Sequence, residues 1–475
     1  YDDWNRSNRK DRDSVLSEIE VDFNDYSRDK FNGKAYMAEG PGLRVWDSGI
    51  YIQSKEVLNG KPVFMKGHVL HGSMINPFSS RHGFDSHQNN FAPSLIVNFP
   101  VLLLANTSLL SAKSYETAGS TIGVIGDTQT WVNDRPSTET VAVLTILKEV
   151  PSSNSFRPPY YGSEKPLYNL ENIQWEKLPR LLPPQYLENE NYDFEDIYTG
   201  RNRDYETVAD QYKRYFERPW ILFGVQRELH SRLNMPSYHR EVWRLLADMS
   251  VLLTVDLDEI YGAGEMEKVV IPFIQLGIDS HYIGIHQGGS TSIDRWPTIF
   301  AGIMLDEDEL KNIAVDGSWR ESIVDRAGRM VYYRHEARSN FVSNVVPEDE
   351  FYHGYIVGWR QGSTNEHEHL DPATEWGKEF GTGSGSGGNT RETYRNINSP
   401  SFVGHALSAY LFNARGLWSL PALFDYSIRY KDYEGESASS GFVNKMWDEY
   451  KFECITHSFE EDRIIYNCSN ILVDC

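Results

Sequence analysis

The sequence predicts a multidomain α and β protein, an antiparallel β-sandwich-like N-terminal domain followed by an (α/α) toroid, that is, an incomplete helical barrel. Three observations predict it. Residues 35–150 carry short β-rich runs punctuated by Gly, Asn and Pro. Residues 151–204 are rich in proline and aromatics with little periodicity. From residue 205 the apolar spacing turns helical and stays so through many segments joined by long polar loops.

At 475 residues the chain exceeds one ordinary core, since a domain takes roughly 150 residues. A hydrophobic share of 40% with 13% aromatics supports a folded interior. The formal net charge of -22 repels phosphate backbones and anionic headgroups, so nucleic acid is not an expected partner. No run of about 18 uncharged apolar residues occurs, and the densest stretch, 94–110, is broken by Asn98, Pro100 and Asn106, so membrane insertion is not expected either. The start at Tyr1 without a methionine suggests a removed leader or a fragment, and a secreted, periplasmic or particle-surface location is the expectation.

Residues 1–34 are strongly charged without an apolar period and read as an N-terminal arm. In 35–150 the runs 43–46, 50–53, 63–65, 95–104 and 141–147 read as strands, and no helical pattern of crossover length separates them, which favours an antiparallel arrangement. The 151–204 connector, with Phe156-Arg157-Pro158-Pro159-Tyr160-Tyr161 and Leu181-Leu182-Pro183-Pro184, has the composition of a segment that packs across another surface. In 205–452 one stripe runs through Tyr205, Val208, Tyr212 and Tyr215, and a second through Val242, Leu245, Leu246, Met249, Leu252 and Leu253. Met266, Val269, Val270, Phe273 and Ile274 form a third, Phe402 to Leu411 a fourth, and Phe442, Val443, Met446, Trp447 and Tyr450 a fifth. No fixed-period repeat occurs, which argues against the common solenoids. In the 453–475 tail Cys454, Cys468 and Cys475 can form one disulfide and leave one thiol over.

The run Gln275-Leu276-Gly277-Ile278-Asp279, then Gly288-Gly289, then Arg295 to Leu305 resembles a helix-loop-helix segment of bacterial, often marine, two-domain proteins with an N-terminal β-sandwich-like domain and an (α/α) toroid. Gly404-His405-Ala406-Leu407, Ala422 to Tyr426, Gly441 to Trp447, Gly72 to Pro77 and Ser155 to Tyr160 are similar too. These proteins are related to polysaccharide lyases and glycoside hydrolases, so the resemblance implies a carbohydrate-directed activity, most simply β-elimination on an acidic, uronate-containing polysaccharide. The alternatives are a glycoside hydrolase, or a non-catalytic surface, virion or glycan-binding protein that keeps the fold. The last is favoured by one departure: related loops follow Gly-Gly with a histidine and a basic residue, and Gly288-Gly289 here leads to Ser290-Thr291. A homo-oligomer or larger assembly is compatible with each alternative.

Elimination needs a base at the sugar C5, an acid for the leaving oxygen and a group that neutralises the uronate carboxylate, roles suited to Tyr or His and to Arg or Asn. His335, His367, His369, Tyr394 and Tyr282 are the candidate catalytic groups, and Arg295, Arg338, Asn340, His286 and Arg391 the candidate substrate-binding ones. Trp359 and Trp376 flank the histidine cluster, and their apolar rings suit sugar faces. The segment Asn365 to Asp371 is the densest titratable cluster, read either as a solvated loop or as a site in which His367 and His369 form half of a divalent-metal site. No other cofactor is expected, because no GxSxG, Walker, HExxH or dinucleotide signature is present. A hydrolase would draw on two carboxylates, for which Asp279, Asp294, Glu336, Glu368 and Asp371 are nearest the other candidates.

Overall fold

The computed structural model describes residues 34–37, 43–45, 57–58, 61–62, 72–78, 81–83, 92–114, 138–148, 151–152, 154–183, 207–216, 227–230, 235–287, 295–312, 321–324, 330–333, 339–345, 355–361, 391–418, 421–450, 454–460 and 463–468. The helices are α1 (Val208–Phe216), α2 (His239–Leu252), α3 (Leu257–Tyr261), α4 (Glu265–Gln287), α5 (Arg295–Leu305), α6 (Asp308–Lys311), α7 (Arg391–Leu411), α8 (Arg415–Trp418), α9 (Pro421–Glu434) and α10 (Gly441–Tyr450). The first ten strands are β1 (Lys34–Met37), β2 (Leu43–Val45), β3 (Val57–Leu58), β4 (Lys61–Pro62), β5 (Gly72–Ile75), β6 (Val101–Leu103), β7 (Thr107–Ser114), β8 (Thr138–Leu147), β9 (Arg227–His230) and β10 (Met235–Tyr238). The later six are β11 (Glu321–Val324), β12 (Met330–Tyr333), β13 (Ser339–Val345), β14 (Tyr355–Gln361), β15 (Cys454–Glu460) and β16 (Arg463–Cys468). The chain forms two compact units: the first takes Tyr1–Trp175, Glu195–Val242 and Tyr261–Leu310, the second Glu176–Phe194, Trp243–Ile260 and Lys311–Cys475.

Unit 1 contains a four-stranded sheet in the order β1-β8-β7-β5, antiparallel except for the β1/β8 pair. Its central strand β7, Thr-Ser-Leu-Leu-Ser-Ala-Lys-Ser, has little apolar alternation, yet residues 107–111 are buried. The hydroxyls are satisfied across the sheet, Ser108 against Thr145 at 2.8 Å and Ser111 against Ser73 at 2.5 Å, so a polar strand can occupy an interior position without stranded donors. Asn76 closes the end of β5: its amide N–H donates to Ser108 O at 2.8 Å and its side-chain oxygen accepts from Ser108 N at 2.7 Å.

The helical part of unit 1 is built on α4, whose 23 residues extend roughly 35 Å. Its start is tied to α1 by charge and capping. Thr207 Oγ1 accepts from Asp210 N at 3.2 Å, and Lys268 Nζ lies 2.9 Å from Asp210 and 2.6 Å from Glu265. The apolar faces interlock through edge-on aromatics, Phe216 with Phe273 at 5.5 Å and Phe273 with Phe300 at 5.3 Å. Every residue of α5 is buried, as expected of a helix that is apolar all round. Gly277 lets α4 and α5 approach: a Cβ there would lie 2.6 Å from Ala301 Cβ and closer still to the Pro297 carbonyl oxygen.

Unit 2 repeats the device where α7 meets α2. A Cβ on Gly404 would lie 2.8 Å from Ala247 Cβ, and Ser408 Oγ donates across the contact to Ser250 O at 2.7 Å. The chain at Leu181 adds a parallel bridge to Val255, with Arg180 held 3.0 Å from Asp256 and 3.5 Å from Asp258. Trp418, buried, stands edge-on to Phe424 at 6.2 Å. The five apolar stripes lie on α1, α2, α4, α7 and α10.

Residues 321–324, 330–333, 339–345 and 355–361, within the span expected to form the toroid, pair as the antiparallel sheet β11-β12-β13-β14. The runs Met-Val-Tyr-Tyr, Ser-Asn-Phe-Val-Ser-Asn-Val and Tyr-Ile-Val-Gly-Trp-Arg-Gln are short, β-branched and aromatic, and pair locally by hairpins, for which a helical stripe is not needed. In 35–150, the run read over 95–104 resolves into a 3-10 turn at Pro93–Leu95 and the short β6, because Pro100 cannot donate to a ladder. The expected strands at 50–53 and 63–65, and residues 1–33 of the expected arm, lie outside the described residues, while Lys34 opens β1. The tail forms the β15/β16 hairpin, whose register sets Cys454 opposite Cys468.

Two outcomes are expected. Gly277→Ala should destabilise unit 1 by about 3 kcal/mol, because overpacking against backbone cannot relax by a rotamer change, and denaturant unfolding of the variant measures it. Directly opposed residues of an antiparallel pair have Cα atoms about 4.5 to 5.5 Å apart, within disulfide range. Mild oxidation should therefore join Cys454 to Cys468 and leave Cys475 open to alkylation, as read by peptide mapping of the non-reduced protein.

Candidate functional site

The densest set of described ionisable groups in unit 1 gathers on the second half of α4, where the segment 155–168 crosses it. Asp279, 2% exposed, faces Arg157 of that segment, and the Arg157 Nη2 donates to Asp279 Oδ2. Gln275, one turn earlier on α4, donates from Nε2 to the Arg157 carbonyl at 2.9 Å, so side chain and backbone of the arginine are both fixed. Burial pushes the Asp279 carboxyl up, and Arg157, Lys165 and Gln275 oppose it. Arg157 also lies 5.9 Å over the ring of Tyr160.

Lys165 organises the turn that follows. Its Nζ donates to Gly162 O at 2.6 Å, Pro159 O at 3.0 Å and Tyr161 O at 3.4 Å. Gly162 has φ +63°, which suits a residue without Cβ, and its N–H reaches Pro77 O at 2.9 Å. Burial pulls the Lys165 ammonium down to about 7, with the Arg157 charge acting the same way and the Asp279 carboxylate opposing it. Three carbonyl acceptors match the three N–H bonds of the charged form, so the geometry favours the ammonium.

Two and three residues after Asp279 the helix carries His281 and Tyr282, 5% and 3% exposed. The Tyr282 and Tyr168 hydroxyls are hydrogen-bonded to each other, and either can be the donor. Burial raises both phenols above their ordinary value; for Tyr168 the Tyr282 bond works against that rise, and the carboxylates of Glu309 and Glu307 add to it. His281 Nε2 lies 3.1 Å from Glu309 Oε1, and the histidine ring meets the Tyr282 ring edge-on at 5.0 Å. The Glu309 side chain is 61% exposed, so this pair connects the interior to solvent.

Of the residues singled out from the sequence, Tyr282 belongs to this cluster, together with the carboxylate candidate Asp279. Arg295 is the first residue of α5 and is 3% exposed. His286 lies near the C-terminal end of α4. Asn340 and Trp359 are neighbours by register in the β13/β14 pair, where Asn340 opposes Arg360 and Trp359 opposes Phe341. Arg391 and Tyr394 lie in the first turn of α7. His335, Arg338, His367, His369, Trp376, Asp294, Glu336, Glu368 and Asp371 lie outside the described residues. Sequence reasoning missed Lys165, Tyr168, His281 and Glu309. Arg157 stood in it only as part of a proline-aromatic run, and its distance of 122 residues from Asp279 hid the pair.

Among the described residues no group of three or more His, Cys, Asp or Glu is placed to hold a metal ion, and no helix is long and apolar enough to cross a membrane. No protein-family model, curated protein or solved structure matches the chain.

Removing one partner of a buried ion pair leaves the other charge uncompensated, which costs about 3 to 5 kcal/mol. Arg157→Ala should lower the stability of unit 1 by that amount, and adding Asp279→Asn to it should recover most of the loss. Denaturant unfolding of the single and double variants provides the check.

Proposed function

We propose that the protein acts on an acidic, uronate-containing polysaccharide by β-elimination, on an (α/α) toroid preceded by a β-rich domain. The observation that carries the reading is the hydrogen-bonded phenol pair Tyr282–Tyr168 beside the His281–Glu309 pair, with Tyr282 and His281 consecutive on α4. Elimination moves the C5 proton to a base, forms the C4–C5 double bond and expels the C4 oxygen, which takes a proton from an acid. A tyrosine can serve both steps when a neighbour lowers the cost of its anion. Burial raises the Tyr168 phenol and the bond with Tyr282 opposes that rise, whereas on Tyr282 burial and the same bond both raise the phenol and keep it protonated. In this reading Tyr168 is the acid/base group, Tyr282 positions it, and the histidines and arginines singled out in the sequence supply uronate contacts.

A second reading, a non-catalytic glycan-binding or assembly protein, is favoured by a specific observation. Tyr282 and Arg295 are buried, and Arg157 and Lys165 are engaged by Asp279 and by backbone carbonyls, so these groups also serve as interior supports.

Incubation with a panel of uronate polymers separates the two. The lyase reading expects far-ultraviolet absorbance of an unsaturated product with at least one polymer. Tyr168→Phe should then lower kcat by about a hundredfold or more with little change in KM. New reducing ends without that absorbance indicate hydrolysis, and neither signal with any polymer leaves the non-catalytic reading standing.

A further inference from the structure

Unit 2 buries a carboxyl that none of the functional chemistry above employs. Asp248 of α2 is 6% exposed, and its Oδ1 accepts a 2.6 Å hydrogen bond from Ser440 Oγ. Ser440 is the residue that starts α10: its hydroxyl oxygen accepts from Val443 N at 3.2 Å and its carbonyl from Asn444 N at 2.9 Å. The same hydroxyl therefore caps α10 with its lone pair and spends its proton on Asp248. The turn before α10 is fastened onto the same helix, since Asn444 Nδ2 donates to Glu436 O at 2.7 Å and to Ser439 O at 2.9 Å. Ser439 Oγ in turn reaches Pro400 O of α7 at 2.8 Å.

Among the described residues, these charged groups surround the contact. Arg244 lies one turn earlier on α2 and is the cation that acts on Asp248. From α9, Lys431 is taken up by Asp448 of α10 at 3.3 Å and by Gly435 O at 3.2 Å. From α7, where Gly404 packs on Ala247, the titratable neighbour is His405, and its ring lies 6.2 Å from that of Trp418. From the α10 side the partner is the neutral Ser440.

We propose that Asp248 is a proton-operated latch between α2 and α10, closed while the carboxyl is neutral and loosened when it ionises. A neutral carboxyl accepts the Ser440 bond at little desolvation cost, while a carboxylate at the same place is a buried charge that gains by opening to water. Burial pushes Asp248 up to about 7, with the Ser440 bond and Arg244 pulling the other way. The folded carboxyl thus holds its proton more tightly than the open one. Its contribution to latch stability is full below the ordinary carboxyl value and declines as pH rises, being lost by about pH 7. The inference rests on unit 2 alone and stands or falls independently of the polysaccharide reading.

Hydrogen exchange of the α10 amides in the full chain, corrected for the intrinsic pH dependence of exchange, tests it. Between about pH 5 and 7 their protection should fall by up to about tenfold per pH unit, while that of α5 in unit 1 stays level as an internal reference. Asp248→Asn keeps the acceptor for Ser440 and cannot ionise, so its α10 protection should not vary with pH. Equal corrected protection of α10 across that range in the unsubstituted chain overturns the latch, whether or not the variant folds. So does a variant that keeps the full pH slope.

Discussion

The ion pair between Arg157 and Asp279 is the constraint on which the ordered part of unit 1 turns. A carboxylate that is 2% exposed in the middle of a long helix is affordable only beside a cation, and the cation comes from a segment 122 residues earlier. Once Arg157 is fixed, the two prolines after it leave the chain little freedom, and Tyr160 and Tyr161 are placed in the interior. Lys165 then gathers the carbonyls of the resulting turn, and Tyr168 arrives against Tyr282 one helical turn from Asp279. A buried pair of this kind adds little net stability over an apolar replacement of similar shape, so its effect is better described as specifying where the connector sits. The candidate chemistry of Tyr168 exists only because that position is specified.

Within each unit the helices are held by close approach more than by bulk. Gly277 admits the α5 backbone to α4, Gly404 admits Ala247 to α7, and in both places serine or threonine hydroxyls donate to carbonyls across or along the contact. Small residues at such contacts leave no side-chain volume to fill, so the large rings must fill the layers above and below. The Phe216, Phe273 and Phe300 ladder does this in unit 1, and Trp418 with Phe424 in unit 2. Hydroxyls are tolerated in these cores where a carbonyl lies one turn or one helix away, as Ser427 has in Leu423 and Phe402.

What the sequence disclosed and what it hid follow from the range of the interactions involved. The stripes of α2, α4, α7 and α10 repeat every three or four residues and are local, so spacing alone reveals them. Strand β7 was hidden because serines stand beside leucines among its buried positions, and Ser108 and Ser111 are satisfied by partners on β8 and β5 that no local window contains. The sheet β11 to β14 was hidden because its strands are only four to seven residues long and fall where loops between helices were expected. The site was legible on one side only. Tyr282 is polar on an apolar helix and draws notice, whereas Tyr168, Lys165 and Arg157 lie in a proline-aromatic segment where nothing in the spacing points to a partner on α4.

Asp279 and Asp248 show how one residue type buried in two helices acquires different behaviour. Burial raises both carboxyls. Around Asp279 the opposition comes from a guanidinium in direct contact, a second cation and an amide, all held by backbone bonds of their own, so the carboxyl is built into a network that also anchors the connector. Around Asp248 it comes from the Ser440 hydroxyl and from the charge of Arg244. The hydroxyl can rotate, because capping α10 and serving Asp248 use different parts of the same group, whereas a guanidinium fixed at both ends cannot turn away. A change of protonation at Asp279 would therefore have to disturb a whole segment, while at Asp248 it need disturb only one helix terminus. That difference in the number of fixed partners, more than the depth of burial, is what makes the second carboxyl the one able to respond to pH.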